Sequence, residues 1–238
     1  MSFRNGVQLG QLQIPIKTHP RRKRLALRIK PTGEVALLAP PKVAFKQLEG
    51  FALANQAWLE EQLSKLALKP QPAVFSGSIG ERWPYLGEGL VLEQADAYPV
   101  QQQKNKLLLP SHADAKQALF SWYLERVNEW LPSRFNYWAA QTGFQPTGLQ
   151  IKTYKARWGS CDRHGRIQLN WMLIGLPQWV VDYVIVHELC HLTHMNHSPA
   201  FWQLVRWHYP NTEQAKAWLK QNGHPIISQL YSLSGNTL

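Results

Sequence analysis

Cysteine is scarce: the 238 residues include only Cys161 and Cys190. Two thiols cannot build a disulfide framework, and a reducing compartment keeps both free. Long apolar runs are missing too. No stretch approaches the roughly 18 to 20 residues needed to cross a bilayer, which excludes a membrane-spanning helix. The opening "MSFRNGVQLGQLQ" has no apolar segment of the secretory kind, so a cytoplasmic location is expected. Acidic residues are few, with 15 Asp and Glu against 26 Lys and Arg, a formal net charge of +11. No Gly-rich loop of the phosphate-cradling type is found, which counts against a P-loop nucleotide enzyme.

Against these absences stand 45% hydrophobic residues and eleven tryptophans, enough to fill one large core or two modest ones. The positive charge is uneven. Residues 1 to 70 carry 12 Lys and Arg against 4 Glu, and "KTHPRRKRLALRIK" alone supplies Lys17, Arg21, Arg22, Lys23, Arg24, Arg28 and Lys30. Such a cluster attracts nucleic acid, nucleotides or acidic protein surfaces; it also suits a solvated strand edge that keeps the protein soluble.

Periodicity divides the chain near residue 110. Residues 24 to 40 read as two alternating strands around a Pro-Thr-Gly turn, and residues 46 to 66 as one amphipathic helix. "KPQPA", 69 to 73, has the composition of a linker, and "ERWPYLGEGLVLEQ" and "NKLLLP" read as further short strands. Residues 1 to 110 are therefore expected to form a basic, β-rich region with one helix. Residues 111 to 238 begin with an aromatic-rich helical pattern over 113 to 141, with a kink or break expected at Pro132. "LQIKTYKARWGSC" and "RIQLNWML" suggest paired strands, followed by helices at about 178 to 193, 199 to 208 and 212 to 221. Ser198 before Pro199 and Thr212 near Pro210 sit where helix starts want them. No internal repeat is evident.

"HELCHLTHMNH", residues 187 to 197, holds four of the nine histidines. His187 and His191, four apart on a helix, put both imidazoles on one face about 6 Å apart along the axis, as two ligands of one metal require. Glu188 completes H-E-x-x-H, where the glutamate is not a ligand: it takes a proton from the attacking water and passes it to the leaving group. The motif arises by chance in about 1 to 2% of chains of this composition, so its setting matters. The preceding "WVVDYVIV" is apolar nearly all round, the mark of a buried helix, and a Glu and two His there need partners that a metal supplies.

A catalytic zinc takes a third protein ligand. The candidates are His194, His197, His208, Glu213 and Cys190. Cys190 points about 100° away from His191, and His194 in an unbroken helix lies about 7 Å along the axis from the midpoint of the first two ligands. His197 reaches the site if the helix ends after about residue 193 and the chain turns back, aided by a left-handed Asn196 and a new helix starting at Ser198-Pro199. Three histidines, His187, His191 and His197, are therefore expected. Metzincins carry Gly in their pattern where this chain has His194.

"RWGSC", "IQLNWMLIGLP", "VVDYVIVHELCHLTHMNHSPAFW" and "GEVALLAPP" together resemble the bacterial YgjP-like metallohydrolases, relatives of the SprT and WLM zinc proteases. The similarity is densest from Tyr154 to Trp207. It implies an α+β, zincin-like catalytic domain with His187, His191 and His197 on one zinc per chain, other divalent metals serving as alternatives, and Glu188 as catalytic base. Trp158, Gly159 and Ser160 would lie close to the metal helix in such a fold. There an extended peptide could add to the strand edge, Gly159 permitting close backbone approach; a core strand with Trp158 packed inward is the rival reading. Tyr209, Arg206 and His194 are candidates for stabilising an oxyanion.

Three functions follow for comparison. A zinc-dependent peptidase is the leading one, acting on a peptide or protein. A metal-dependent phosphohydrolase, with Arg21 to Arg24 holding the phosphates of a nucleotide, is the second. A nucleic-acid-binding module with a structural metal is the third, although a structural site needs no Glu188.

Overall fold

A computed structural model describes residues 6–30, 33–67, 76, 78–95, 99–111 and 114–234. The chain divides into two compact units, residues 1–71 and 72–238. Among the described residues there are six α-helices and three small mixed sheets, an α+β protein with a β-rich N-terminal region.

In the first unit, β1 (Gly6–Leu9), β2 (Leu12–Thr18), β3 (Ala26–Ile29) and β4 (Val35–Ala39) form a sheet in the order β1-β2-β4-β3. The hairpin expected over 24 to 40 is β3 and β4, paired antiparallel with Leu27 opposite Leu37. The single helix expected over 46 to 66 is two, α1 (Phe45–Ala54) and α2 (Gln56–Ala67). They part at Asn55, whose side-chain amide donates to the Phe51 carbonyl at 2.8 Å and so competes with the helical ladder. Val7, Ile14, Leu37, Leu48, Ala52 and Leu59 meet in a core of their own. The linker expected at 69 to 73 lies outside the described residues.

The second unit opens with β5 (Arg82–Tyr85), β6 (Glu88–Ala95), β7 (Gln101–Gln103) and β8 (Lys106–Pro110), in the order β5-β6-β8-β7. These strands were expected in the N-terminal region. They fall in the second unit because Trp83, Leu90, Leu92, Leu107 and Leu109 share one buried cluster with the long helix and the metal-motif helix. The two four-stranded sheets have the same connectivity. Each has an antiparallel first hairpin, then a fourth strand that pairs parallel with the second and antiparallel with the third. The repeat is one of topology, invisible in sequence because a sheet asks only for alternation.

α3 (Ala115–Thr142) starts at Asp114, whose carboxylate accepts from the Lys116 and Gln117 N–H groups, and ends at Gly143 with φ +73°. It runs without a break through Pro132. The ring deprives the Asn128 carbonyl of its ladder partner, but residue 128 is exposed, so that carbonyl is open to solvent. Beyond it, β9 (Gly148–Lys152), β10 (Gly159–Cys161) and β11 (Arg166–Asn170) form a sheet in the order β10-β11-β9, which leaves β10 at an edge. A 3₁₀ turn, Trp171–Gly175, leads into α4 (Gln178–Cys190), then α5 (Pro199–His208) and α6 (Thr212–Tyr231). α6 is ten residues longer than the pattern over 212 to 221 suggested, passing through Gly223 and Pro225. Gly223 is where the Trp158 indole packs: a Cβ there would lie 3.2 Å from it.

Candidate metal centre

α4 is buried along almost its whole length, Val180 through Val186 without interruption, and it packs on α3, α5 and α6. Its one buried acid in that run, Asp182, is forked by the Arg134 guanidinium of α3, a bidentate pair that fixes the rotation of the helix. This anchoring places His187 and Glu188 on the last turn. His191 closes the helix as its C-cap with φ −65° and ψ −18°, so the four-residue spacing keeps its helical geometry. The helix ends three residues earlier than the pattern indicated.

The return of the chain is made differently from the expectation. Asn196 is not left-handed; its side-chain oxygen accepts from the Ser198 N–H at 3.3 Å, an Asx-type turn. Ser198 then caps α5 by accepting from Phe201 N–H at 3.3 Å, with Pro199 in the first helical turn. His197 is thereby carried back over His187.

The three rings converge. Centroids are 5.0 Å apart for His187 and His191, 5.0 Å for His187 and His197, and 4.8 Å for His191 and His197. Their ligating nitrogens all fall within 4.8 Å of one another, with His187 Nε2 and His197 Nε2 at 3.1 Å. Two nitrogens at about 2.0 to 2.1 Å from one tetrahedral ion stand about 3.3 Å apart, so the cluster fits a single metal. His191 Nδ1 is 2.9 Å from the His194 carbonyl and donates to it, leaving its Nε2 lone pair for the centre. His194 thus contributes its carbonyl rather than its ring. His187 Nδ1 is buried with no hydrogen-bond partner among the described residues, and the ring is held by packing against Phe201, Trp202 and Tyr183.

Electrostatics match this arrangement. Burial, reinforced by His191, His197 and Lys216, drives the His187 pKa down to about 3, and burial lowers that of His191 as well. Both imidazoles are therefore neutral near pH 7, as ligands must be. Glu188 is 6% exposed, and burial pushes its carboxyl up to about 8, with the Arg157 guanidinium opposing.

Across from the helix runs β10. The backbone at Gly159 touches Glu188: a Cβ on residue 159 would lie 2.7 Å from Glu188 Cγ and 2.9 Å from Oε1. Gly159, Ser160 and Cys161 line one side of a cavity of about 240 Å³; His187, Glu188, His191 and His197 line the other, and Met195 completes it. Trp158 is turned away toward Gly223. The Cys161 thiol, pushed up to about 11 by burial and nearby carboxylates, donates to the Asp162 carbonyl at 3.4 Å.

The remaining candidates are engaged elsewhere. Cys190 is fully buried, its thiol pushed up to about 12, and the His208 ring packs edge-on to Phe144. Glu213 pairs with Arg206 and Lys216, and the Tyr209 hydroxyl donates to the Trp179 carbonyl at 2.5 Å. Sequence reasoning missed Met195 and Asn170. Asn170 is fully buried: its side-chain amide donates to the Tyr154 and Arg157 carbonyls at 3.0 and 2.9 Å, and its N–H to the Trp158 carbonyl at 2.8 Å. It fastens the loop that delivers Gly159 to Glu188. The available signal was a polar residue standing in an apolar run, "IQLNWML".

A family model described as YgjP-like, metallopeptidase domain, matches residues 23–222. The chain belongs to the YgjP-like family. Metal-dependent hydrolysis is the chemistry of that domain, and the converging histidines and the buried Glu188 occupy its matched span. Among solved structures, the metallopeptidase zymogen of Pyrococcus abyssi abylysin is similar at 20% identity, over 39% of this chain and 94% of that one, with a TM-score of 0.35. At that score the likeness does not establish a shared fold. No curated protein matches the chain. No helix among the described residues is long and apolar enough to cross a membrane.

Proposed function

We propose that this YgjP-like protein is a zinc-dependent metallopeptidase whose catalytic machinery lies in the unit 72–238. The observation that carries the reading is the convergence of His187, His191 and His197 beside a buried Glu188. Three imidazole nitrogens suit zinc, and one such ion would supply a Lewis acid that polarises the scissile carbonyl and acidifies water. Glu188 takes the proton of the attacking water and returns it to the departing amine. Its burial keeps bulk solvent from competing for that proton, and the positive charge of a bound metal would favour the ionised carboxylate that accepts it.

β10 receives the substrate in this reading. Its outer edge has no partner strand among the described residues, so an extended peptide can add there through main-chain hydrogen bonds. Gly159 brings that backbone against Glu188, and Met195, 57% exposed, offers a pliable apolar contact for a substrate side chain. Two free thiols suit a reducing, cytoplasmic setting.

Glu188→Gln tests the mechanism. The variant is expected to bind zinc at the parental stoichiometry and to lose peptide turnover by at least about a hundredfold, the usual contribution of a general base. Turnover at the parental rate contradicts the assignment.

A further inference from the structure

The basic cluster of the N-terminal unit plays no part in the metal centre, and its geometry differs from that of a scattered, solubilising charge. Glu34 is the first acidic residue of the chain. Among the described residues, Lys30 pairs with Glu34, whereas Lys17, Arg21, Arg22, Lys23, Arg24 and Arg28 have no carboxylate within ion-pair distance. Some surface cations elsewhere are paired, as Lys65 with Glu61, Lys106 with Glu93, and Arg206 with Glu213, but six neighbouring cations without a carboxylate are concentrated here.

Three of these cations, Lys17, Arg21 and Arg22, line a concavity. Where β2 leaves the sheet, a cavity of about 460 Å³ is lined by Lys17, Thr18, His19, Arg21, Arg22 and Leu38. The turn that shapes it is pinned at three points. His19 N–H donates to the Ala39 carbonyl at 3.2 Å, Arg22 N–H to the His19 carbonyl at 3.0 Å, and Arg21 N–H to His19 Nδ1 at 3.2 Å. The last bond puts the imidazole proton on Nε2, a donor directed away from the turn. Arg22 spends one guanidinium nitrogen on the Arg24 carbonyl at 3.3 Å, which orients the fork and leaves its other N–H groups to bind. The fold itself does not demand this chemistry. At the matching crossover of the second sheet, between β6 and β7, the cavity is lined by Pro99, Val100, Asp114 and Glu125, with no cation among its lining residues.

We infer that this cradle and the cations flanking it bind the phosphodiester backbone of nucleic acid, without reading bases. Arginine forks match phosphate oxygens in pairs, and the row from Lys17 to Arg28 exceeds what one phosphate can neutralise. The cluster itself offers no stacking platform for bases, because no Phe, Tyr or Trp occurs between Phe3 and Phe45. The same gap disfavours a membrane surface. Peripheral helices that bind lipid set Trp, Phe or Leu beside their cations, and here none of the exposed large apolar side chains lies between Leu12 and Leu53. The inference is independent of the metallopeptidase reading.

The test uses the full chain and a fluorescent random-sequence DNA duplex, with anisotropy titrations at several salt concentrations. The partner variant is Lys17→Gln/Arg21→Gln/Arg22→Gln/Arg24→Gln, and Lys65→Gln on α2 serves as a charge control. Binding by the parent is expected to weaken steeply as salt rises, the log–log slope giving about 0.9 per phosphate contacted. The quadruple variant should bind at least about tenfold more weakly with a shallower slope, while circular dichroism and zinc content stay parental. Lys65→Gln should bind as the parent does. Three results overturn the inference: no salt-dependent binding by the parent, equal binding by the quadruple variant, or capture by anionic phosphatidylserine vesicles with none by the duplex.

Discussion

Gly159 and Glu188 are in contact across the cleft, strand backbone against carboxylate side chain, with no room for a methyl group between them. A Cβ at residue 159 would sit 2.7 Å from Glu188 Cγ, a separation that real Cβ atoms do not show. The proposed catalytic base is thus positioned by the strand that is proposed to hold the substrate.

Gly159→Ala should therefore harm catalysis more than metal binding. Displacing the carboxylate by a fraction of an ångström to about 1 Å is expected to cut kcat on a peptide by about tenfold to a hundredfold. Zinc content, set by His187, His191 and His197 rather than by the displaced Glu188, should remain at the parental level. Steady-state kinetics and elemental analysis on the same preparation check both halves.

Asn170 lies one layer further out and acts through the loop. Removing its amide in Asn170→Ala strands the Tyr154 and Arg157 carbonyls, and unpaired buried groups cost about 1 to 3 kcal/mol each. A loss of about 2 to 4 kcal/mol is expected after partial access of water to the exposed loop. Urea denaturation measures it, with kcat falling alongside stability because Gly159 loses its anchor.

These two residues show where the sequence was readable and where it was not. The four-residue spacing, the buried helix and the Ser198-Pro199 start depend on local rules, and the helical face of His187 and His191 followed from them. Asn196 was misjudged because its side chain competes with its backbone, and two mechanisms make the same turn. Pro132 looked like a break, yet it frees a carbonyl on an exposed helix face, open to solvent. The strands at 82 to 110 were grouped with the N-terminal region because the aromatic-rich helical pattern begins only near residue 111, whereas the side chains they pack against lie downstream. Met195 and Asn170 gave almost no signal, since their roles depend on contacts between segments far apart in sequence.

The metal-free protein should lose stability at both ends of the pH scale, for opposite reasons. The Glu188 carboxyl is raised from 4.5 to about 8 in the folded state, so its contribution is fully present below about pH 4.5 and is lost as pH rises through 8. The His187 pKa is lowered from 6.5 to about 3, so its contribution is present above pH 6.5 and is lost as pH falls toward 3. Glu188→Gln should consequently make the metal-free chain more stable than the parent at pH 8, by up to about a few kcal/mol, with the gain shrinking toward pH 4.5. Chemical denaturation at pH 5 and pH 8, after treatment with chelator, gives the comparison.

Ser198→Ala removes the cap that starts α5 immediately after His197. A cost of about 1 kcal/mol in stability is expected, together with weaker zinc retention, because the loop that carries His197 back over His187 loses its fixed end. Competition with a chelator of known affinity reads the second effect.

His187, His191 and His197 are proposed to hold one metal. Elemental analysis of the purified chain beside His197→Ala and His194→Ala tests it most directly. About one zinc per chain is expected in the parent, lost in His197→Ala and kept in His194→Ala, where the carbonyl that orients His191 survives the substitution. A parent that takes up no zinc on reloading, or a His197→Ala variant that keeps its full complement, would contradict the three-histidine centre.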